Sequence, residues 1–137
     1  MPLPSKTVTI PFDIDRTASI IIFEVMFQSQ DRERRIPMAF DTGASISTIP
    51  KEIALALDSD LSSPKRCVEI IAAGGMEYVP AVLIPSVRFA GFEFENIEMA
   101  CLNLPSKSSV AGLLGLDLLR NFDLLLSFSK NELTLRR

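Results

Sequence analysis

The sequence contains no histidine. This absence excludes Ser-His-Asp and Cys-His catalytic groups and zinc sites built on imidazole. A hydrolase with this composition must therefore work through carboxylates. Cysteine is scarce as well: Cys67 and Cys101 are the only two, and their separation matches no metal-ligand spacing. Both fall within apparent strands, so we expect reduced, structural thiols, as is usual in the cytoplasm.

Long apolar runs and basic clusters are also missing. No stretch approaches the roughly 20 apolar residues that span a bilayer, and the first residues lack the plan of a secretory signal. We therefore expect a cytoplasmic protein without a membrane segment in this chain. The net charge is −3 and no Lys/Arg-rich run occurs, so nucleic acid is not an expected partner.

What is present is an ordinary globular composition. The 137 residues are 47% apolar and 23% charged, and no internal repeat or low-complexity segment marks a boundary. We predict one domain over residues 1–137.

The pattern of apolar residues and turn signals is mostly that of strands. We predict roughly nine short strands. The strand-like runs are residues 7–10, 19–28, 35–40, 67–73, 76–84, 87–89, 92–94, 97–104, 122–128 and 133–135, with a turn at 129–131. Short helices are predicted with Pro50 in the first turn, where Ile49, Ile53 and Leu57 recur every four residues, and over residues 116–121. Residues 29–34 and 58–65 are predicted as a polar turn and a loop. The fold class is therefore all-β, a closed or folded-over barrel with one or two short helices.

The motif with the clearest chemistry is Asp41-Thr42-Gly43-Ala44, which directly follows the apolar strand that ends at Phe40. Gly43 and Ala44 leave room for a tight turn, and nearby N–H groups could hydrogen-bond the Asp41 carboxylate. Taken alone, the motif also fits an Asx turn at the end of a strand.

Two further motifs follow in the chain. Leu113-Leu114-Gly115 leads into a short helix, and Gly115 would let a strand pass close beneath the Asp41 turn. Gly74-Gly75 joins two strand-like segments and predicts a hairpin with a small, mobile tip. Each of these also fits a plain structural element, namely a buried strand and a surface hairpin.

In this order and spacing the three motifs resemble the retropepsin-like aspartic proteases, most closely the small single-domain members of prokaryotic type. The sequence Phe-Asp-Thr-Gly-Ala-Ser at residues 40–45 and Gly-Leu-Leu-Gly-Leu-Asp-Leu-Leu at residues 112–119 carry most of the likeness. The resemblance implies a homodimeric barrel of the acid-protease type. It also implies that Asp41 is catalytic, that Thr42 braces the dimer axis, and that a flap over the substrate is formed by Ala73, Gly74, Gly75 and Met76.

The implied reaction is peptide hydrolysis by water held between two Asp41 carboxylates, one from each subunit, with no metal or organic cofactor. Two chains are needed because each has one Asp-Thr-Gly turn, whereas pepsin-like chains have two. Position 44 is Ala, as in viral members. Apolar pocket walls are expected from Ile46, Ile71, Met76, Val79, Val82 and Leu113.

Other interpretations remain open. Asp117, which resembles a helix-start residue, or Asp123, at a strand start, could supply the second carboxylate within one chain. The chain could also be a non-catalytic dimerisation or peptide-binding module, since fold alone does not specify function. A barrel that binds a small molecule is the third class.

Overall fold

A computed structural model describes residues 5–57, 66–72 and 75–137. The predicted loop 58–65 and the predicted flap residues Ala73 and Gly74 lie outside the described residues. In the described part of the chain there are eleven strands and two short helices. The strands are β1 Thr7–Pro11, β2 Asp13–Asp15, β3 Ile20–Ser29, β4 Arg32–Phe40, β5 Thr48–Ile49, β6 Cys67–Ala72, β7 Gly75–Phe89, β8 Phe92–Cys101, β9 Gly112–Leu114, β10 Asp123–Ser127 and β11 Glu132–Arg136. The helices are α1 Lys51–Ala56 and α2 Leu116–Leu119.

Six of the strands close into a barrel. They follow one another in the order β3-β4-β9-β5-β8-β7, and β7 pairs back onto β3 through Met26–Arg88 and its neighbours. The predicted all-β barrel with two short helices is therefore confirmed. The first residues of β7 extend beyond the barrel and carry β6 in an antiparallel hairpin.

Strand β3 shows why these residues form a barrel wall. Its sequence is rich in β-branched and aromatic residues, which favour extended backbone. Phe23, Val25 and Phe27 alternate with more exposed residues and are at most 4% exposed. They join the core, which also takes in side chains from the helices, such as Ile53 and Leu118.

A second, smaller sheet brings the described ends of the chain together. Strand β11 lies in its centre, between β1 and β10. Backbone hydrogen bonds between Lys6 and Arg137 extend the β1–β11 pairing by one residue in both directions of donation.

Several predicted boundaries were wrong. Strands β7 and β8 run without the predicted breaks, because their pairing continues in one register on both sides of Pro85. The predicted turn 29–34 is shorter, since β4 begins at Arg32 and Gln30 adopts a positive φ of 55° in the tight turn. The short strands β2 and β5 were not predicted. Pro50 precedes α1 as its N-cap and is not its first helical residue.

The prediction for α1 is confirmed, whereas the two cysteines, both predicted as reduced structural thiols, differ in their burial. Ile49, Ile53 and Leu57 all face the core, with exposures of 9% or less, so the predicted apolar face is confirmed. Both cysteines are free thiols, but only Cys101 is buried, and Cys67 is exposed at the start of β6. Within the described ranges, no helix has the length and apolar character needed to cross a membrane.

Candidate active site

Asp41 directly follows the last residue of β4, at the start of a turn. The residue before it, Phe40, pairs with Leu114 of β9 and packs edge-to-face on Phe23, with ring centroids 5.9 Å apart. The Asp41 N–H donates to the Leu114 carbonyl at 3.0 Å. The backbone of Asp41 is thereby held against β9, while its side chain remains partly exposed.

The turn itself orients the carboxylate. The N–H of Gly43 donates to Oδ1 of Asp41 at 2.9 Å, and the N–H of Ala44 donates to the Asp41 carbonyl at 3.2 Å. Thr42 is exposed at the tip. The sequence predicted such a hydrogen bond from a neighbouring N–H to the carboxylate, and the geometry of Gly43 agrees with it.

Strand β9 passes between the two arms of this turn. It pairs in parallel with β4 through Ala39–Leu113 and antiparallel with β5 through Thr48–Leu113. Because β4 precedes the turn and β5 follows it, the Leu113-Leu114-Gly115 segment links both ends of the loop that contains Asp41.

Gly115 is required where β9 leaves the turn. A Cβ at this position would lie 2.7 Å from the Ala44 carbonyl oxygen and 3.0 Å from the carbonyl carbon of Ile46. That carbonyl of Ala44 accepts the N–H of Leu116 at 2.8 Å. The close backbone approach that the sequence predicted at Gly115 is therefore present.

A second polar link, between Ser47 and Asp117, holds the base of the turn. The Ser47 hydroxyl donates to Oδ1 of Asp117 at 2.7 Å, and the Ser47 N–H donates to Oδ2 at 3.0 Å. The same hydroxyl accepts the N–H of Gly115 at 2.9 Å, and Oδ1 of Asp117 also accepts the N–H of Leu118. Ser47 is fully buried, so this network satisfies its polar atoms.

The sequence did not reveal the role of Ser47. Asp117 was predicted as a helix-start residue; it lies in the first turn of α2, but Gly115 is the N-cap, and the Asp117 carboxylate accepts the N–H of Leu118 without forming a side-chain cap. Its second partner lies 70 residues away in the chain, and no local pattern connects the two.

The carboxylates of Asp117 and Asp123 are both engaged elsewhere. Asp117 accepts the donors just described, and Asp123 forms an exposed ion pair with Arg136 at 2.9 Å. Neither contact involves the Asp41 side chain. In the described part of the chain, no group of three His, Cys, Asp or Glu residues is placed to hold a metal ion.

The β6–β7 hairpin carries the described part of the predicted flap. Ala72 pairs with Gly75 and Ile71 pairs with Met76, so residues 73 and 74 connect the two strands. Gly75 has a φ of +122°, which disfavours any residue with a Cβ. Met76 is 61% exposed.

A cleft of about 430 Å³ separates the Asp41 turn from strand β6. It is lined by residues 43–46, Thr48, residues 69–71, Leu102 and Leu113. Three of the predicted wall residues, Ile46, Ile71 and Leu113, are among them.

The other three predicted wall residues do not line this cleft. Val79 and Val82 are buried, with exposures of 7% and 5%. Pro80 and Ala81 between them are half-buried, so this part of β7 shows no simple alternation of buried and exposed residues. Met76 is mostly exposed at the far end of the hairpin. For these three residues a role as pocket walls stays a prediction.

The region around Asp41 is similar to known proteins in both sequence and fold. Residues 25–118, which include the Asp41 turn, the hairpin and β9, match the family model described as aspartyl protease. The chain belongs to the aspartyl protease family. Among solved structures, a retropepsin-like aspartic protease from Rickettsia conorii aligns with a TM-score of 0.71 and 25% sequence identity. The alignment covers 97% of this chain and 93% of the other. A search of curated proteins found no match.

The family match and the structural match together identify an aspartic-type endopeptidase of the retropepsin-like, prokaryotic kind. The resemblance seen in the sequence is thereby confirmed. This retropepsin-like protease has its single Asp-Thr-Gly turn at the point where β4, β9 and β5 meet.

Proposed function

We propose that two copies of this protease pair about a two-fold axis and hydrolyse peptide bonds with one Asp41 carboxylate from each subunit. The observation that carries the proposal is the single Asp41 turn, oriented by Gly43 and held against Leu114. Peptide hydrolysis by carboxylates alone needs two of them, and a symmetric dimer supplies the second.

The reaction follows from sharing one proton between two adjacent carboxylates, which cannot both ionise without a large repulsive cost. The ionised Asp41 accepts a proton from a bound water, and the water oxygen bonds to the scissile carbonyl carbon. The protonated Asp41 of the partner donates its proton to the carbonyl oxygen. The tetrahedral intermediate then collapses, the carbon–nitrogen bond breaks, and the amine leaves with a proton from the dyad.

Two other parts of the chain have roles in this proposal. Thr42, exposed at the tip of the turn, braces the dimer axis by bonding to the partner's backbone. Residues 73–76 form the flap that covers the bound peptide, with Gly74 and Gly75 at its tip. Support for the flap comes from the position of β6, which lies across the cleft from the Asp41 turn.

The test is a mixing experiment with Asp41→Asn, which preserves shape and removes the carboxylate charge. Wild-type and variant proteins are unfolded together, refolded at varied ratios, and assayed on an unfolded protein substrate. If both subunits must contribute Asp41, activity falls as the square of the wild-type fraction, to about a quarter in an equal mixture. A linear decline to about half would show that one chain suffices. An Asp41→Asn protein that still cleaves peptides would overturn the catalytic assignment.

A further inference from the structure

The cleft beside the Asp41 turn combines mostly apolar walls with an ionisable group. Most of its lining is apolar, from residues such as Ile46, Ile70 and Leu113. Glu69 is the only ionisable residue among the described residues that line it. A side chain that fills this cleft therefore meets an apolar surface and one carboxylate.

The charge on Glu69 is not neutralised by its own hairpin. Residues 67–80 contain two acidic residues, Glu69 and Glu77, and no Lys or Arg. In the described part of the chain no ion pair involves Glu69, and the nearby Arg66 pairs with Glu98 at 3.3 Å. The cleft wall thus presents a negative charge that lacks a cation from the described residues.

From this arrangement we propose that Glu69 is a specificity-determining residue that selects substrates with Lys or Arg at the position occupying this cleft. Both side chains have a long apolar stem and a charged end, so the stem can lie along Ile46 and Ile71, which shares one face of β6 with Glu69, while the cation reaches Glu69. A purely apolar side chain can pack on the apolar wall of the cleft but cannot pair with Glu69. This inference rests on the proposed proteolytic function, because the cleft selects among peptides only if peptides are the substrate.

The size of the preference is limited by solvent. Glu69 is exposed, and ion pairs at exposed sites are weak and screened by salt. We therefore expect a modest preference, about two- to fivefold in kcat/KM, that disappears at high ionic strength. The salt dependence separates charge recognition from a fit of shape, which salt does not remove.

The experiment uses a matched pair of substrate side chains, lysine and norleucine, which differ in the terminal amine alone. A peptide that the wild-type enzyme cleaves is resynthesised with each residue around the scissile bond replaced in turn by lysine or by norleucine. The lysine-to-norleucine ratio of kcat/KM is measured for wild type, Glu69→Gln and Glu77→Gln. Glu77→Gln is the control because Glu77 lies on the same hairpin, is exposed, and does not line the cleft.

The expected result is a ratio above one in wild type and Glu77→Gln at the two positions that occupy the clefts of the two subunits, one on each side of the scissile bond. The ratio should fall to about one in Glu69→Gln or in about 1 M salt. Glu69→Lys should invert the preference in favour of glutamate at those positions. A wild-type ratio of one at every position, or a ratio unchanged in Glu69→Gln, would overturn this inference and leave the proposed function standing. If no peptide or unfolded protein is cleaved in an Asp41-dependent manner, the proposed function itself fails.

Discussion

The hydroxyl of Ser47 donates a 2.7 Å hydrogen bond to Oδ1 of Asp117, which ties the segment after the Asp41 turn to the first turn of α2. The Ser47 hydroxyl also accepts the N–H of Gly115, and Gly115 directly follows Leu114, whose carbonyl holds the N–H of Asp41. These hydrogen bonds therefore connect both sides of the turn, at Asp41 and at Ser47, to β9 and the start of α2. Asp117 serves as an acceptor in this network, and we infer that it positions the turn without taking part in the chemistry.

The first prediction concerns this acceptor. In Asp117→Asn, an amide nitrogen in place of Oδ2 would face the N–H of Ser47, so a buried donor loses its partner. Hydrogen bonds to charged groups contribute about 2 kcal/mol, and the free energy of unfolding in urea should fall by about that amount. Asp123→Asn is the control, because its exposed ion pair with Arg136 contributes less than about 1 kcal/mol. Equal stability of the two variants would contradict the role given to Asp117.

The same two variants also test the alternative second carboxylates. If Asp41 acts in pairs across a dimer, Asp123→Asn keeps its full activity and Asp117→Asn keeps a measurable rate. Complete loss of activity in either variant, with a fold that circular dichroism shows to be retained, would make that residue a candidate for the second catalytic carboxylate again.

The second prediction concerns the close approach at Gly115. In Gly115→Ala the new methyl would meet the backbone of Ala44 and Ile46, and backbone atoms cannot move aside as a flexible side chain can. Overpacking of this kind costs about 1–3 kcal/mol. We expect a lower melting temperature together with a reduced kcat, because the displaced strand also carries Leu114. Gly43→Ala should cost less stability, since its nearest neighbour is the Asp41 side chain at 3.2 Å.

The third prediction concerns the hairpin. Gly75→Val places a β-branched residue at a φ of +122°, where such residues are genuine outliers. Gly75 is exposed and a Cβ there would contact nothing within 4 Å, so the barrel should remain folded. We expect a raised KM or lost turnover with nearly unchanged global stability. Unchanged kinetics would count against a flap, and Glu77→Val, two residues along β7, is the comparison for added bulk.

The fourth prediction concerns the two thiols. Burial raises the pKa of Cys101, and the smaller influence of the Lys51 charge opposes this shift. A thiol that stays neutral in the core contributes stability below its unfolded pKa of about 8.5, and that contribution is lost as the pH rises through its folded pKa. Iodoacetamide at pH 8 should therefore modify Cys67, which is exposed, and spare Cys101 until denaturant is added. Mass spectrometry of the digested protein measures the extent of modification at Cys67 and at Cys101. Equal modification rates of the two thiols in the folded protein would refute the prediction.

Local signals in the sequence were sufficient to predict the elements that are formed by residues adjacent in the chain. The β-rich runs around Val25 and Val87, the apolar face of α1 and the Asp41 turn each follow from adjacent residues, through propensity and spacing. The absence of histidine excluded histidine-dependent hydrolytic chemistry before the fold was considered. Together with the motif order, this was sufficient to indicate an aspartic protease.

Only the tertiary structure decided the contacts between segments far apart in the chain. Strand β9 is three residues long and β5 is two, too short for any periodicity, and they exist because they pair with each other and with β4 and β8. The Ser47–Asp117 link and the place of Glu69 on the cleft wall have the same origin. A sequence pattern indicates which side chains can lie on one face of a strand. The closed barrel determines which other strands those side chains pack against. That selection depends on long-range packing, which no local window of the sequence contains.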